Sequence, residues 1–184
     1  MRKTRLLLGL VFFLLLAAAA FNQEITEKEF ETAMTTVKQK AFSVPPCALK
    51  PPYSDQFQPG SFRTTFVEAV FNDSGSYDPV MYAPVHLPQG AVVKSIYAAC
   101  VDNDDGKYLR LSLIRRDVKE STAAYMAILT TSGLASSWKQ RVLKNTFISY
   151  SLINNYFTYF LEVNFSFNHG SNDLSFLGFW IVYE

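Results

Sequence analysis

The chain has 184 residues and a formal net charge of +1, with 49% hydrophobic, 18% charged and 15% aromatic residues. This composition excludes collagen-like, low-complexity and disordered proteins. The charged fraction is below the roughly 25% of an average soluble domain, and the many Phe and Tyr rings need one well-filled core.

The first twenty residues have the layout of a secretory signal peptide. A basic start (Arg2, Lys3 and Arg5) precedes the apolar run from Leu6 to Ala20, which is shorter than the roughly 20 residues that span a bilayer. Small residues at its end favour cleavage after Ala20. We therefore predict a secreted or periplasmic protein with no membrane span after signal removal; an uncleaved anchor is the alternative.

The charge of the exported part excludes one class of partner. Without residues 1–20 the chain has 14 basic and 16 acidic side chains, a formal charge of about −2. A domain this close to neutral has no electrostatic footprint for nucleic acid or anionic lipid. We predict no nucleic-acid partner.

The two cysteines, Cys47 and Cys100, both belong to the exported part. An oxidising compartment favours their pairing, so we predict a disulfide between them; two buried free thiols are the alternative. A metal or redox role has little support because the sequence has no C-x-x-C motif and only two His residues.

Signals for a short helix agree with one another from Ile25 to Lys40. Thr26 and Glu29 have the spacing of a capping box, and Ile25 and Phe30 that of a hydrophobic staple. Apolar residues with helical spacing follow at Phe30, Ala33, Met34, Val37 and Ala41. We expect this stripe to dock on the following domain, because a self-associating stalk of this length is too short to be stable alone.

The Pro-rich residues 43–60 read as an extended connector, and nearly everything after them is strand-like. The candidate strands are Thr65–Phe71, Val80–His86, Val92–Val101, Tyr108–Val118, Ala123–Thr131, Trp138–Leu143, Phe147–Leu152, Tyr156–Phe167 and Leu174–Tyr183. Short strands at close spacing without a βαβ rhythm predict an all-β fold, an antiparallel β-sandwich or jelly roll with a short N-terminal α-helix. The predicted parts are a signal peptide (1–20), a helix and connector (21–60) and the sandwich domain (61–184).

The last predicted strand is apolar on both faces, whereas several of the other strands alternate. We expect one face to pack on the opposing sheet and the other under the N-terminal helix or another subunit. The candidate interface residues for a homo-oligomer are Phe30, Met34, Val37, Phe179 and Trp180.

Candidate chemistry is sparse. The acidic turn with Asp102, Asp104 and Asp105 is a weak candidate for a calcium loop, but it lacks the helix–loop–helix pattern, so we assign no metal and no cofactor. Neither His86 nor His169 lies near a nucleophile motif, so we assign no catalytic residue and predict that the protein is not an enzyme.

Aromatic residues outside the inferred core faces are the candidate binding residues. Trp138, Tyr150 and Tyr156 are the main ones. Rings on a sheet or its rim stack on sugars and also make protein contacts. The alternative is that they cap the core.

The run from Met81 to Ser95, with Leu87-Pro88-Gln89-Gly90-Ala91 at its centre, leads into a strand that ends at Cys100 and an acidic turn. This pattern resembles a family of exported bacterial β-sandwich domains of uncharacterised function. A fainter likeness is to jelly-roll modules found beside carbohydrate-active enzymes. The resemblance implies a sandwich and export, and it transfers no catalytic residue.

The sequence therefore predicts a secreted, non-catalytic β-sandwich protein with a binding or structural role, acting through self-assembly or contacts with another extracellular protein. The alternative function is glycan binding, as in a carbohydrate-binding module. A hydrolase of unknown substrate is third.

Overall fold

The computed structural model describes residues 23–35, 40–51, 62–64, 69–71, 80–103, 106–131, 140–166 and 174–184. The predicted signal peptide lies outside these ranges and stays a prediction. Within them, no helix has the length and apolar character that crossing a bilayer requires.

The described chain forms a β-sandwich, as predicted. In chain order its elements are β1 (Gln23–Ile25), α1 (Glu27–Thr35), β2 (Lys40–Val44), a 3-10 turn (Pro46–Ala48), β3 (Phe62–Thr64), β4 (Ala69–Phe71), β5 (Val80–Val85), β6 (Val93–Asp102), β7 (Leu109–Asp117), β8 (Ala123–Thr130), β9 (Gln140–Asn145), β10 (Phe157–Phe165) and β11 (Leu174–Tyr183). The larger sheet has the order β1-β9-β6-β11-β4-β3, with β2 also paired to β11, and the smaller sheet has the order β5-β10-β7-β8. Every strand pair is antiparallel.

The core lies between the two sheets and follows the predicted alternation. In β7 the side chains of Leu109, Leu111 and Leu113 are fully buried, and in β10 so are those of Leu161 and Val163. The facing positions of the larger sheet include Ile96, Cys100, Phe176, Phe179 and Ile181. The period of two therefore identified the inward faces of β7 and β10 correctly.

The capping box at the start of α1 is present. The Thr26 backbone N–H donates to Glu29 Oε2 at 2.8 Å, and the Glu29 N–H donates to Thr26 Oγ1 at 3.3 Å. The bond from the Thr26 N–H lowers the pKa of the Glu29 carboxyl. The sequence predicted helix as far as Lys40, but α1 ends at Thr35. Residues 40–44 form a strand instead, because their backbone pairs with β11.

Helix α1 docks on the outer face of the larger sheet through Phe30, as predicted for that residue. The side chains of Ala33, Met34 and Val37 lie outside the described ones, and Ala41 is in β2 and exposed. The Phe30 ring makes edge contacts with Trp180 at 5.0 Å and with Tyr97 at 5.5 Å between ring centroids. Ile25 lies in the same apolar cluster, as the staple requires. The second apolar face of β11 is therefore covered by the chain's own helix.

The outer face of β11 also needs a glycine. A Cβ atom on Gly178 would lie 2.9 Å from the Trp180 indole ring, closer than real Cβ contacts allow. The β11–β6 register shifts between Phe176 and Gly178. The missing Cβ of Gly178 gives the indole ring room to lie over the strand beside Phe30.

Two differences from the sequence analysis concern strands. Residues 23–25 and 40–44, which the analysis assigned to the helix and connector, are strands β1 and β2 of the larger sheet. The predicted strand Phe147–Leu152 is a loop instead. Its first residues are turned by Asn145, whose Oδ1 accepts the Phe147 N–H at 2.7 Å while its Nδ2 donates to the Ile128 carbonyl at 2.9 Å.

The predicted disulfide is wrong in this structure. Cys47 is exposed in the 3-10 turn, whereas Cys100 is buried between the sheets, and the two sulfurs are not bonded. The side-chain alternation along β6 directs Cys100 into the core, away from the surface that Cys47 occupies. Burial, with a smaller contribution from the nearby Asp102 charge, raises the pKa of the Cys100 thiol to about 12.

Thiol reactivity tests this difference. At neutral pH a disulfide-exchange reagent should titrate one thiol in the folded chain, that of Cys47, and two after addition of denaturant, because only a thiolate in contact with solvent reacts. Cys47→Ser should abolish the fast reaction and Cys100→Ser should leave it intact. A native protein with no titratable thiol before or after denaturation would show that the cysteines are paired.

The docking of α1 predicts a measurable stability effect. Phe30→Ala should lower the free energy of unfolding by about 2–3 kcal/mol, somewhat less than for a fully buried ring, because it removes the contacts with Tyr97 and Trp180. The control Lys28→Ala changes an exposed side chain of the same helix and should stay within about 0.5 kcal/mol. Equal urea midpoints for the two variants would mean that the helix adds nothing to the fold.

Candidate functional site

The outward face of the smaller sheet carries an open groove. Strand register aligns two rows of side chains across this face: Tyr82, Glu162, Ser112 and Ile128 in one, and Pro84, Phe160, Ile114 and Tyr125 in the next. The groove has a volume of about 540 Å³ and is lined by Tyr82 and Glu162 of the first row, by Phe160, Ile114 and Tyr125 of the second, and by Arg116, Ser121, Ala123 and Ala124 beyond them. Three aromatic side chains in these rows are unusual, because a sheet face that points away from the core normally carries polar residues.

Three aromatic rings line the groove. Tyr82 and Phe160 lie on neighbouring strands, in an edge-to-face pair with centroids 5.7 Å apart. Tyr125, on the edge strand β8, is 48% exposed. The Arg110 guanidinium lies 5.3 Å from the centroid of the Tyr125 ring. The groove therefore offers both π-faces and cationic donors to a ligand.

Polar atoms without a partner are concentrated on the same face. Among the described residues, Arg110 Nε, Ser112 Oγ and Asn164 Oδ1 are buried and make no hydrogen bond. Arg110 lies opposite Asn164 in the β7–β10 register, and Ser112 lies one position further along the face. An unsatisfied buried polar group costs about 1–3 kcal/mol, so three of them together mark a face that stability alone does not explain.

A second cluster lies at one end of the sandwich, in the loop of residues 146–156. The Arg115 guanidinium carbon is 3.4 Å from the centroid of the Tyr150 ring and 4.4 Å from that of Phe157. Tyr150 has a φ of +54° and is 54% exposed, and Tyr156 is 67% exposed. Two of the predicted binding aromatics thus lie at this end and not in the groove.

The remaining predicted site residues belong to neither cluster or fall outside the described part of the chain. Trp138, Val37, Asp104 and Asp105 lie outside the described residues, and Met34 lies in α1. Asp102 is fully buried at the end of β6. In the described ranges, no group of three or more His, Cys, Asp or Glu residues could hold a metal ion.

Three of the five candidate interface residues, Phe30, Phe179 and Trp180, pack within the chain. Phe179 is fully buried between the sheets, so it offers no surface to a second copy. Phe30 and Trp180 contact each other and form part of the cluster under α1. Self-association through these residues stays a prediction.

The sequence analysis missed two rings of the groove, Tyr125 and Phe160. The signal for Phe160 was available, because the alternation that turns Thr158 and Glu162 outward also turns Phe160 outward. Tyr125 lies next to a register shift in the β7–β8 pairing, between the Leu113 and Ile114 pairs. A shift of this kind reverses the apparent alternation, so period alone does not place Tyr125.

A comparison with solved structures finds matches at low sequence identity. The chain matches the xylan-binding module CBM15 with a TM-score of 0.48 and 10% identity, over 78% of this chain and 96% of that one. It matches the C-terminal CBM6 of a laminarinase from Zobellia galactanivorans with a TM-score of 0.47 and 11% identity, over 77% of this chain and 98% of that one. The match to an isomalto-dextranase from Arthrobacter globiformis has a TM-score of 0.44 and 15% identity, over 77% of this chain and only 23% of that enzyme. No family model matches the sequence, and no curated protein matches it.

The unpartnered hydroxyl of Ser112 gives a test of the groove face that needs no ligand. Ser112→Ala should raise the free energy of unfolding by about 1 kcal/mol, because it removes a buried polar atom that has no hydrogen bond. The matched control is Thr131→Val, since Thr131 Oγ1 is buried and accepts the Leu109 N–H at 2.8 Å. The free energy of unfolding of this control should fall by about 1–3 kcal/mol, because the Leu109 N–H loses its acceptor. Destabilisation by Ser112→Ala in urea unfolding would show that the Ser112 hydroxyl has a partner in solution.

Proposed function

We propose that this protein is exported and binds glycans, and that the groove on the outward face of the smaller sheet is the binding surface. The observation that carries the proposal is the combination of three rings, Tyr82, Tyr125 and Phe160, with Arg116 and Glu162 around one open groove. The signal-like residues 1–20 support the export. The faint resemblance to jelly-roll modules beside carbohydrate-active enzymes points in the same direction.

The chemistry of the groove suits a sugar. The apolar C–H face of a pyranose packs on an aromatic ring, while its hydroxyl groups need donors and acceptors at the edge. The Glu162 carboxylate accepts hydrogen bonds from hydroxyls, and the Arg116 guanidinium donates to them. Glu162 and Arg116 carry opposite charges, so the groove as a whole does not require a charged ligand.

The openness of the groove suits a chain more than a small molecule. Small-molecule sites enclose most of their ligand's surface, whereas this groove lies across an exposed sheet face and its edge strand β8. A polysaccharide can extend past such a groove in both directions. Weak binding by one site is then sufficient, since many sites on one polymer act together.

Binding to polysaccharides tests the proposal. The processed chain should be retarded in native gels that contain a neutral plant or algal polysaccharide, and Tyr125→Ala should weaken the interaction at least about tenfold, a loss of roughly 1.4 kcal/mol. Tyr125 is half exposed, so the variant should keep its fold, which urea unfolding checks.

Tyr108→Ala is the matched control, because Tyr108 is 41% exposed but does not line the groove. It should bind as the unchanged protein does. If no polysaccharide retards the protein, or if Tyr108→Ala and Tyr125→Ala behave alike, the groove is not a glycan site.

A further inference from the structure

The loop of residues 146–156 is fixed to both sheets by backbone hydrogen bonds. Ser149 N–H donates to the Met126 carbonyl of the smaller sheet at 2.8 Å. Val93 N–H, in the larger sheet, donates to the Ser151 carbonyl at 2.9 Å, and Ile153 N–H donates to the Ala91 carbonyl at 2.8 Å. Tyr150 lies between these fixed points, so its backbone has little freedom.

Tyr150 is held in a conformation that tyrosine avoids. Its φ of +54° is in the left-handed region, which costs an L-residue with a Cβ about 1–2 kcal/mol. An Asn or Gly at this position would remove most of that cost. The ring does not fill the core, since Tyr150 is 54% exposed, but it covers the Arg115 guanidinium at 3.4 Å. The strained residue therefore serves to hold a ring against an arginine.

Arg115 occupies an inward position at the end of the sandwich. It is opposite Tyr159 in the β7–β10 register and continues the row of Leu109, Leu111 and Leu113. Tyr150 and Phe157 lie against its guanidinium, at 3.4 Å and 4.4 Å from the central carbon. Rings stacked on a guanidinium shield it from water, while its N–H donors remain directed along the plane of the group.

One of those donors, the Arg115 Nε–H, has no acceptor within the described chain. Arg115 Nε is buried without a hydrogen-bond partner, and Arg115 makes no ion pair there. Asp117 is the nearby acid, but its Oδ1 accepts the backbone N–H groups of Lys119 at 2.7 Å and Glu120 at 3.0 Å. The Arg115 charge helps to lower the pKa of Asp117, after the two backbone hydrogen bonds, but no hydrogen bond or ion pair joins the two side chains in the described chain. The guanidinium between the two rings can therefore still accept a carboxylate from a ligand.

We propose that this end of the sandwich is a second binding site, and that Arg115 there binds the carboxylate of an acidic sugar such as a uronic acid. A planar carboxylate matches the fork of N–H donors, which gives two parallel charge-assisted hydrogen bonds. The exposed rings of Tyr150 and Tyr156 offer the apolar surface that the sugar body requires. The proposal rests on the proposed function only in that the ligand is a sugar, because the site shares no residue with the groove.

Nuclear magnetic resonance of the 15N-labelled processed chain tests the site directly. Titration with sodium glucuronate should shift the Arg115 Nε–H signal and the Tyr150 amide signal in a saturable way, with a Kd of about 1 mM. Glucose, which has the same ring without the carboxylate, should leave both signals unchanged. Glucose 6-sulfate separates a carboxylate site from a general anion site.

Two variants give the matched controls. Arg115→Lys keeps the charge but loses the planar fork of donors and the stacking on the rings. Glucuronate should therefore bind at least about tenfold more weakly, as measured by the shift of the Tyr150 amide signal. Tyr125→Ala changes the groove and should leave glucuronate binding unaltered. Failure of polysaccharide binding together with an intact glucuronate response would therefore remove the groove and keep this site.

Three results would overturn the proposal. The first is no shift of the two signals up to about 50 mM glucuronate, since such binding is weaker than one bidentate carboxylate contact provides. The second is an equal response of the unchanged protein to glucose and glucuronate, or equal glucuronate affinity of the Arg115→Lys variant and the unchanged protein. Either result would mean that the guanidinium does not bind the carboxylate. The third is tighter binding of glucose 6-sulfate than of glucuronate, which would assign the site to sulfate esters.

Discussion

Strand β11 is the element on which the rest of the structure depends, because it is covered on both faces and paired on both edges. It pairs with β6 on one edge and with β2 and β4 on the other. Its inward side chains Phe179 and Ile181 fill the space between the sheets, while Trp180 on the outer face packs under Phe30 of α1. The segment before the sandwich is thereby joined to the core through both a strand and a helix.

The fold was predictable where one physical signal was sufficient. The leucines of β7 at every second position placed the inward face, and Thr26 with Glu29 placed the start of the helix. The signal was insufficient where a side chain replaced the expected backbone pairing. Asn145 ends β9 by bonding to the Phe147 N–H and the Ile128 carbonyl, and the apolar run from Phe147 to Leu152 then becomes a loop although its composition favours a strand.

The candidate sites were less predictable because they depend on register and on strain. The groove exists because β5, β10, β7 and β8 bring Tyr82, Phe160 and Tyr125 onto one face, and pairing partners distant in sequence are invisible in composition. Tyr150 and Tyr156 were identified from the sequence as candidate binding aromatics, but their relation to Arg115 was not. That contact requires a left-handed tyrosine, which no propensity predicts.

The unbonded cysteines have a consequence for how the chain matures. Cys100 sits among apolar side chains between the sheets, and Cys47 lies outside in the 3-10 turn, so the native state holds no covalent cross-link. Folding then proceeds without an oxidant or a disulfide isomerase, and a reducing cytosol used for recombinant production should yield the same native state as an oxidising compartment. The stability of this protein comes from packed rings and paired strands, and reductants do not remove it.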